Sequence, residues 1–114
     1  MRKAVILFKR SMHMLCVVYI LNSCSTVTPK KVHNVYTVEI KQMKFQPAEL
    51  VVQKGDTIVW INRDLVTHDV TETPGKTWTS SPLPTGKSWS LVVSQSADYY
   101  CSIHVVMKGK ILMQ

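Results

Sequence analysis

No stretch of this chain stays apolar for the ~20 residues that a membrane-spanning helix requires. The longest unbroken run, Met14 to Leu21, is far shorter. Acids are scarce, seven against fourteen Lys and Arg, but the basic excess is uneven: Arg2, Lys3, Lys9 and Arg10 carry four of the seven net positive charges and leave +3 for the rest. That remainder holds no basic cluster on which nucleic-acid binding could rest. Neither paired carboxylates nor a nucleophile with its base can be assembled from what is left, so the composition does not read as an enzyme. Helical periodicity is almost missing after Val32, and there is neither an internal repeat nor a low-complexity segment. Cysteine is limited to Cys16, Cys24 and Cys101.

What is present from Val32 onward is β-type sequence broken by turn formers. Val35–Ile40, Glu49–Val52, Thr57–Ile61, His68–Glu72, Ser88–Val93, Asp98–Cys101 and Lys108–Met113 read as strands. Pro47 and Lys54-Gly55-Asp56 mark breaks, and a loop spans Thr73–Gly86 with Pro74, Gly75, Pro82, Pro84 and Gly86. Seven or eight short strands in one domain predict an all-β, two-sheet Greek-key sandwich. Phe45, Val52, Val59, Trp60, Leu91 and Val93 are its expected core, while Trp78 and Trp89 have no obvious place.

The chemistry concentrates near the C-terminus, where Cys101, His104 and Met107 stand three residues apart. A flat strand would send such residues to alternating faces. The segment must therefore turn, which brings thiolate, imidazole and thioether around one point. His68, after the Asn62–Thr67 loop, is the candidate fourth donor. Two His and one Cys with a weak axial Met form the ligand set of blue-copper sites. Taken singly, each residue has a plainer reading: His68 in a loop or core, His104 on the surface, Met107 as an apolar strand start. The joint spacing favours one copper ion. His13 and His33 fit no site.

Gly55-Asp56-Thr57-Ile58-Val59-Trp60-Ile61-Asn62-Arg63-Asp64, then His68, then Tyr99-Tyr100-Cys101-x-x-His104-x-x-Met107-Lys108-Gly109-Lys110 together resemble the cupredoxins. The short ligand loop is most like that of the amicyanins, since plastocyanins and pseudoazurins put more residues between the second His and the Met. The resemblance covers Val35 to the end, and implies a type 1 copper site that passes single electrons between redox proteins. It makes Asn62 and Asp69 supports of the ligands, Asp69 standing where the family usually carries Asn, Thr or Ser. His104 should reach the surface ringed by Val105, Val106 and Leu65 or Leu83, where partners dock briefly, with Tyr100 beside Cys101 as a second route. Val105 replaces the Pro of amicyanins. Two other classes stay open: a copper-delivery lipoprotein of the same fold, and a metal-free sandwich for adhesion or assembly. Delivery proteins in related folds commonly use Met and His without a thiolate, which sets Cys101 against the first.

The N-terminal residues read as an export signal, basic and then apolar. An uncleaved anchor would carry Lys9 and Arg10 into lipid. Leu21-Asn22-Ser23-Cys24 looks like a bacterial lipobox, although Asn22 departs from its usual small or apolar residue. Residues 1–23 are thus expected to be a signal peptide, 24–34 a polar tether containing Pro29, and 35–114 the copper-binding domain. Cys24 would be the lipidated N-terminus of a monomer on the periplasmic side of the envelope. Cys101 is then a lone thiol in an exported protein, which metal ligation explains; a Cys24–Cys101 disulfide is the alternative.

Overall fold

The computed structural model describes residues 23–114, so the expected signal peptide lies outside the described residues but for its last position. Eight strands follow: β1 (Val35–Lys41), β2 (Lys44–Gln46), β3 (Glu49–Val52), β4 (Thr57–Asn62), β5 (Thr71–Thr73), β6 (Ser88–Val92), β7 (Ala97–Tyr100) and β8 (Lys108–Met113). They form two four-stranded sheets, in the orders β2-β1-β4-β6 and β3-β8-β7-β5. The pairs β1–β4 and β3–β8 are parallel, the others antiparallel. Among the described residues there is no helix.

Strand β4 shows how the sequence builds the sandwich. Its β-branched and aromatic side chains suit a pleated surface, and period two sends Ile58, Trp60 and Asn62 inward, all fully buried. The same alternation corrects one expectation: Val59 sits between two inward residues and therefore faces away from the core, half-buried. Val38 and Ile40 of β1, Phe45, Val52, Tyr99 and Ile111 complete the space between the sheets. Leu91 packs against this cluster without being buried in it.

Trp78 and Trp89 also find their place. Trp89 is paired with Trp60 across β4–β6, ring centroids 5.5 Å apart, and Trp78 lies 6.2 Å from Trp60. Tyr99 meets Trp60 edge-on at 5.3 Å and Phe45 at 4.8 Å, arrangements that the ring quadrupoles favour. Burial pushes the Tyr99 hydroxyl up to about 12.

The expected strand His68–Glu72 begins later, at Thr71. His68 makes only an isolated bridge with Leu83, through His68 N to Leu83 O at 3.2 Å and Leu83 N to His68 O at 2.7 Å. Strands β4 and β7 end at Asn62 and Tyr100 and β8 starts at Lys108, which leaves the Arg63–Val70 and Cys101–Met107 segments together at one end of the sandwich.

Candidate metal centre

Three of the four expected ligands converge on one point. The Cys101 sulfur lies 3.8 Å from Nδ1 of His68 and 3.8 Å from Nδ1 of His104. The two ring nitrogens are 3.1 Å apart. His68 and Cys101 are fully buried and His104 is half-buried. The 101–107 loop closes on itself: the Cys101 amide donates to the Met107 carbonyl at 3.1 Å, and the Met107 amide to the His104 carbonyl at 3.0 Å. Two close-range bonds spanning six and three residues make this the tight turn that the Cys-x-x-His-x-x-Met spacing demanded. Met107 is itself buried.

The donor set suits copper on chemical grounds. One thiol sulfur and two imidazole nitrogens lie within 4.8 Å of one another, and sulfur with imidazole is a combination that serves both Cu(I) and Cu(II). The proton on His68 is assigned by its outer nitrogen. Nε2 lies 2.9 Å from an Asp64 carboxylate oxygen, so it carries the hydrogen and donates, which leaves Nδ1 with a lone pair facing Cys101 and His104. The Cys101 sulfur accepts the Asp69 amide at 3.4 Å. Cys24 is exposed and Cys101 buried, and both thiols are free, so the disulfide alternative is not formed.

Asn62 and Asp69 support different parts of the site. Asn62 Nδ2 donates to the carbonyls of Val66 at 2.8 Å and Leu83 at 2.7 Å, and its Oδ1 accepts the Asp64 amide at 2.8 Å. One buried amide thus frames the loop that delivers His68. Asp69 has its carboxylate on the cysteine loop: Oδ1 accepts the Ser102 amide at 2.6 Å and Oδ2 the Ser102 hydroxyl. Thr71 approaches Oδ1 at 3.5 Å.

Asp64 was not expected among the site residues, although it stood in the stretch leading to His68. Its carboxylate accepts the backbone amides of Gln42 at 2.7 Å and Met43 at 3.0 Å as well as His68 Nε2. Burial opposes its ionisation, but the Met43 and Gln42 amides, with His68, outweigh that and hold its carboxyl below the usual range. Those amides come from more than twenty residues away, so no local pattern announces them.

The residues flanking His104 in its loop are apolar and open to solvent: Val106 is 81% exposed, Val105 61% and Ile103 about half. In the loop that leads to His68, Leu65 is 94% exposed and Val66 about half. Leu83 is not a surface residue; it is buried at the His68 bridge. Tyr100, paired with Lys108 and Thr71, is half-buried on the outward side of β7, opposite to Tyr99.

The sequence matches the profile of the copper binding proteins, plastocyanin/azurin family, over residues 32–114. It is 32% identical over 83 residues to an amicyanin of Paracoccus denitrificans, covering 68% of this chain and 63% of that protein, less than two thirds of its length. A plastocyanin of Nostoc punctiforme is 30% identical over 70 residues, covering 58% of this chain and 50% of that one. The structure superposes on a Cu(I) form of an amicyanin mutant with a TM-score of 0.66 at 29% identity, covering 70% of this chain and 82% of that chain. A purple cupredoxin from Nitrosopumilus maritimus, 23% identical, shares the fold at a TM-score of 0.64, covering 69% and 99% of the two chains.

Proposed function

The chain belongs to the copper-binding proteins of the plastocyanin/azurin family, and from that membership we propose that it carries single electrons between redox proteins on the periplasmic side of a bacterial envelope. One copper ion belongs at His68, Cys101, His104 and Met107, where it supplies a one-electron Cu(I)/Cu(II) couple. The observation that carries the reading is the triangle of two Nδ1 atoms and one sulfur, with sides of 3.1, 3.8 and 3.8 Å.

The residues around it have separable tasks. Asp64 keeps the His68 proton on Nε2 and turns Nδ1 inward. The Asp69 amide meets the thiolate sulfur, and its carboxylate ties Ser102, next to the cysteine, to the histidine loop. Asn62 fixes the loop that leads to His68 through the Val66 and Leu83 carbonyls. Ligands held from so many directions move little when the metal charge changes, which suits fast electron exchange. His104 is the ligand nearest the surface. The apolar rim of Leu65, Val105 and Val106 offers a small contact of the sort that brief redox encounters use, and Tyr100 gives a second path from Cys101. The protein turns over no substrate of its own.

Residues 1–23 serve as the signal in this reading, 24–34 as the tether and 35–114 as the copper domain, with Cys24 acylated and the protein monomeric. The exposure of Cys24 is compatible with that role.

The test is spectroscopic. The protein should take up one Cu(II) and show an intense thiolate-to-copper absorption, which Cys101→Ser abolishes. A colourless complex with ordinary tetragonal EPR parameters would overturn the reading.

A further inference from the structure

The hairpin between β1 and β2 reverses through Gln42 and Met43, which both adopt left-handed conformations, with φ of 53° and 59°. Two-residue hairpins of this kind strongly favour Asn-Gly, because ordinary side chains crowd the backbone at positive φ. Neither residue here is Asn or Gly, so something outside the hairpin offsets the crowding.

That support is Asp64. The turn presents two consecutive amides to one carboxylate: the Gln42 N–H donates to Oδ1 at 2.7 Å and the Met43 N–H to Oδ2 at 3.0 Å. The backbone of Asp64 is pinned separately, its N–H by Asn62 Oδ1 at 2.8 Å and its carbonyl by the Thr85 hydroxyl at 2.6 Å. With both ends fixed, the orientation of the carboxylate is left to the turn. The oxygen that takes the Met43 amide is also the one 2.9 Å from His68 Nε2.

We infer that the Gln42–Met43 turn is a remote positioning element for the ligand His68, acting through the Asp64 carboxylate. The contact is reciprocal: Asp64 keeps the turn left-handed, and the turn keeps Oδ2 aimed at the imidazole. Met43 is 40% exposed at the hairpin tip, so the metal centre is linked through Asp64 to a solvent-exposed turn of the first sheet. If the turn loosens, water replaces the amides as donors to Asp64, and the carboxylate loses its alignment rather than gaining strength as an acceptor. The His68 Nε2 proton should then exchange faster. The imidazole also becomes a poorer donor, which disfavours Cu(II) and raises the reduction potential.

Met43→Val in the full chain puts a β-branched residue at positive φ and loosens the turn. Gln42→Asn with Met43→Gly relieves it while keeping both amides. NMR of the metal-free protein should show several-fold faster exchange of His68 Nε2–H in the first variant and slower exchange in the second. The copper-loaded first variant should have a raised potential with its charge-transfer band retained. In an Asp64→Ala background the turn substitutions should change neither quantity. Unchanged exchange in both turn variants would overturn the inference, as would shifts that persist without Asp64. The potential rests on the copper reading but the metal-free exchange does not, so failure of one is distinguishable from failure of the other.

Discussion

Gly109 and Tyr99 face each other across β7 and β8, and a single methyl group tests how firmly that pair joins the two strands that flank the ligand loop. A Cβ at Gly109 would fall 2.5 Å from Tyr99 Cε2 and nearer still to Cζ and the hydroxyl oxygen. The ring therefore lies directly over the glycine, and Gly109→Ala forces it aside. Overpacking of a tight core costs about 1–3 kcal/mol. Displacing Tyr99 also weakens its edge-on contacts with Phe45 and Trp60, worth about 0.5–1.5 kcal/mol each. A loss of about 3 kcal/mol is expected, equivalent to roughly 12–24 °C in Tm for a domain of this size. Gly86 is the control. Nothing lies within 4 Å of its would-be Cβ, but its φ is +79°, so alanine there meets only backbone strain of about 1 kcal/mol. Guanidinium denaturation should be followed on metal-free protein, because copper binding to the folded state would add its own stabilisation. A Gly109→Ala variant no less stable than Gly86→Ala would refute the reasoning. Because Tyr99 stands two residues before Cys101 and Gly109 two after Met107, copper affinity should fall with stability.

The amides of Asn34 and Gln53, each 2.8 Å from a carboxylate oxygen of Asp56, hold its carboxyl below the usual range. Its folded-state pKa is thus below its unfolded one, and its contribution to stability is present above an unfolded pKa of about 3.9 and lost as pH falls through the folded value. Asp56→Asn should flatten that acid limb in urea titrations; an equally steep limb would assign it to another group. Asp69→Asn can still accept the Ser102 amide and donate to its hydroxyl, so it removes charge and keeps the clamp, whereas Asp69→Ala removes both. The Asn variant should raise the reduction potential with its band intact and the Ala variant should also weaken copper binding; equal potentials in wild type and Asn would remove the charge from the account. Val105→Glu or Val106→Glu should slow exchange with a physiological partner without altering the spectrum, and unchanged kinetics in both would move the docking site elsewhere. Cys24→Ser should block lipid labelling and release the protein from membranes, and a mature N-terminus at another residue would discard the anchor.

Much of the site could be read before folding because its chemistry is written locally. Cys101, His104 and Met107 lie within one loop, and period-two alternation placed most strands correctly, since side-chain direction in a strand depends on the residue's own position. The resemblance at Gly55–Asp64 and His68 supplied the fourth ligand, which spacing alone could only nominate. Alternation misleads only where its phase must be known: Val59 and Trp60 are both apolar, and the opposing sheet alone decides that Trp60 points in. Long-range contacts decided the rest. His68 and His104 meet across 36 residues, Asn62 reaches Leu83 across 21, and Asp64 reaches the Gln42–Met43 turn across 22 and 21. Leu83 looked like a surface residue in a proline-rich loop until its bridge with His68 buried it. Contacts of this reach leave no periodic trace in the sequence, because neither partner stands out until strand pairing brings its counterpart into hydrogen-bonding range.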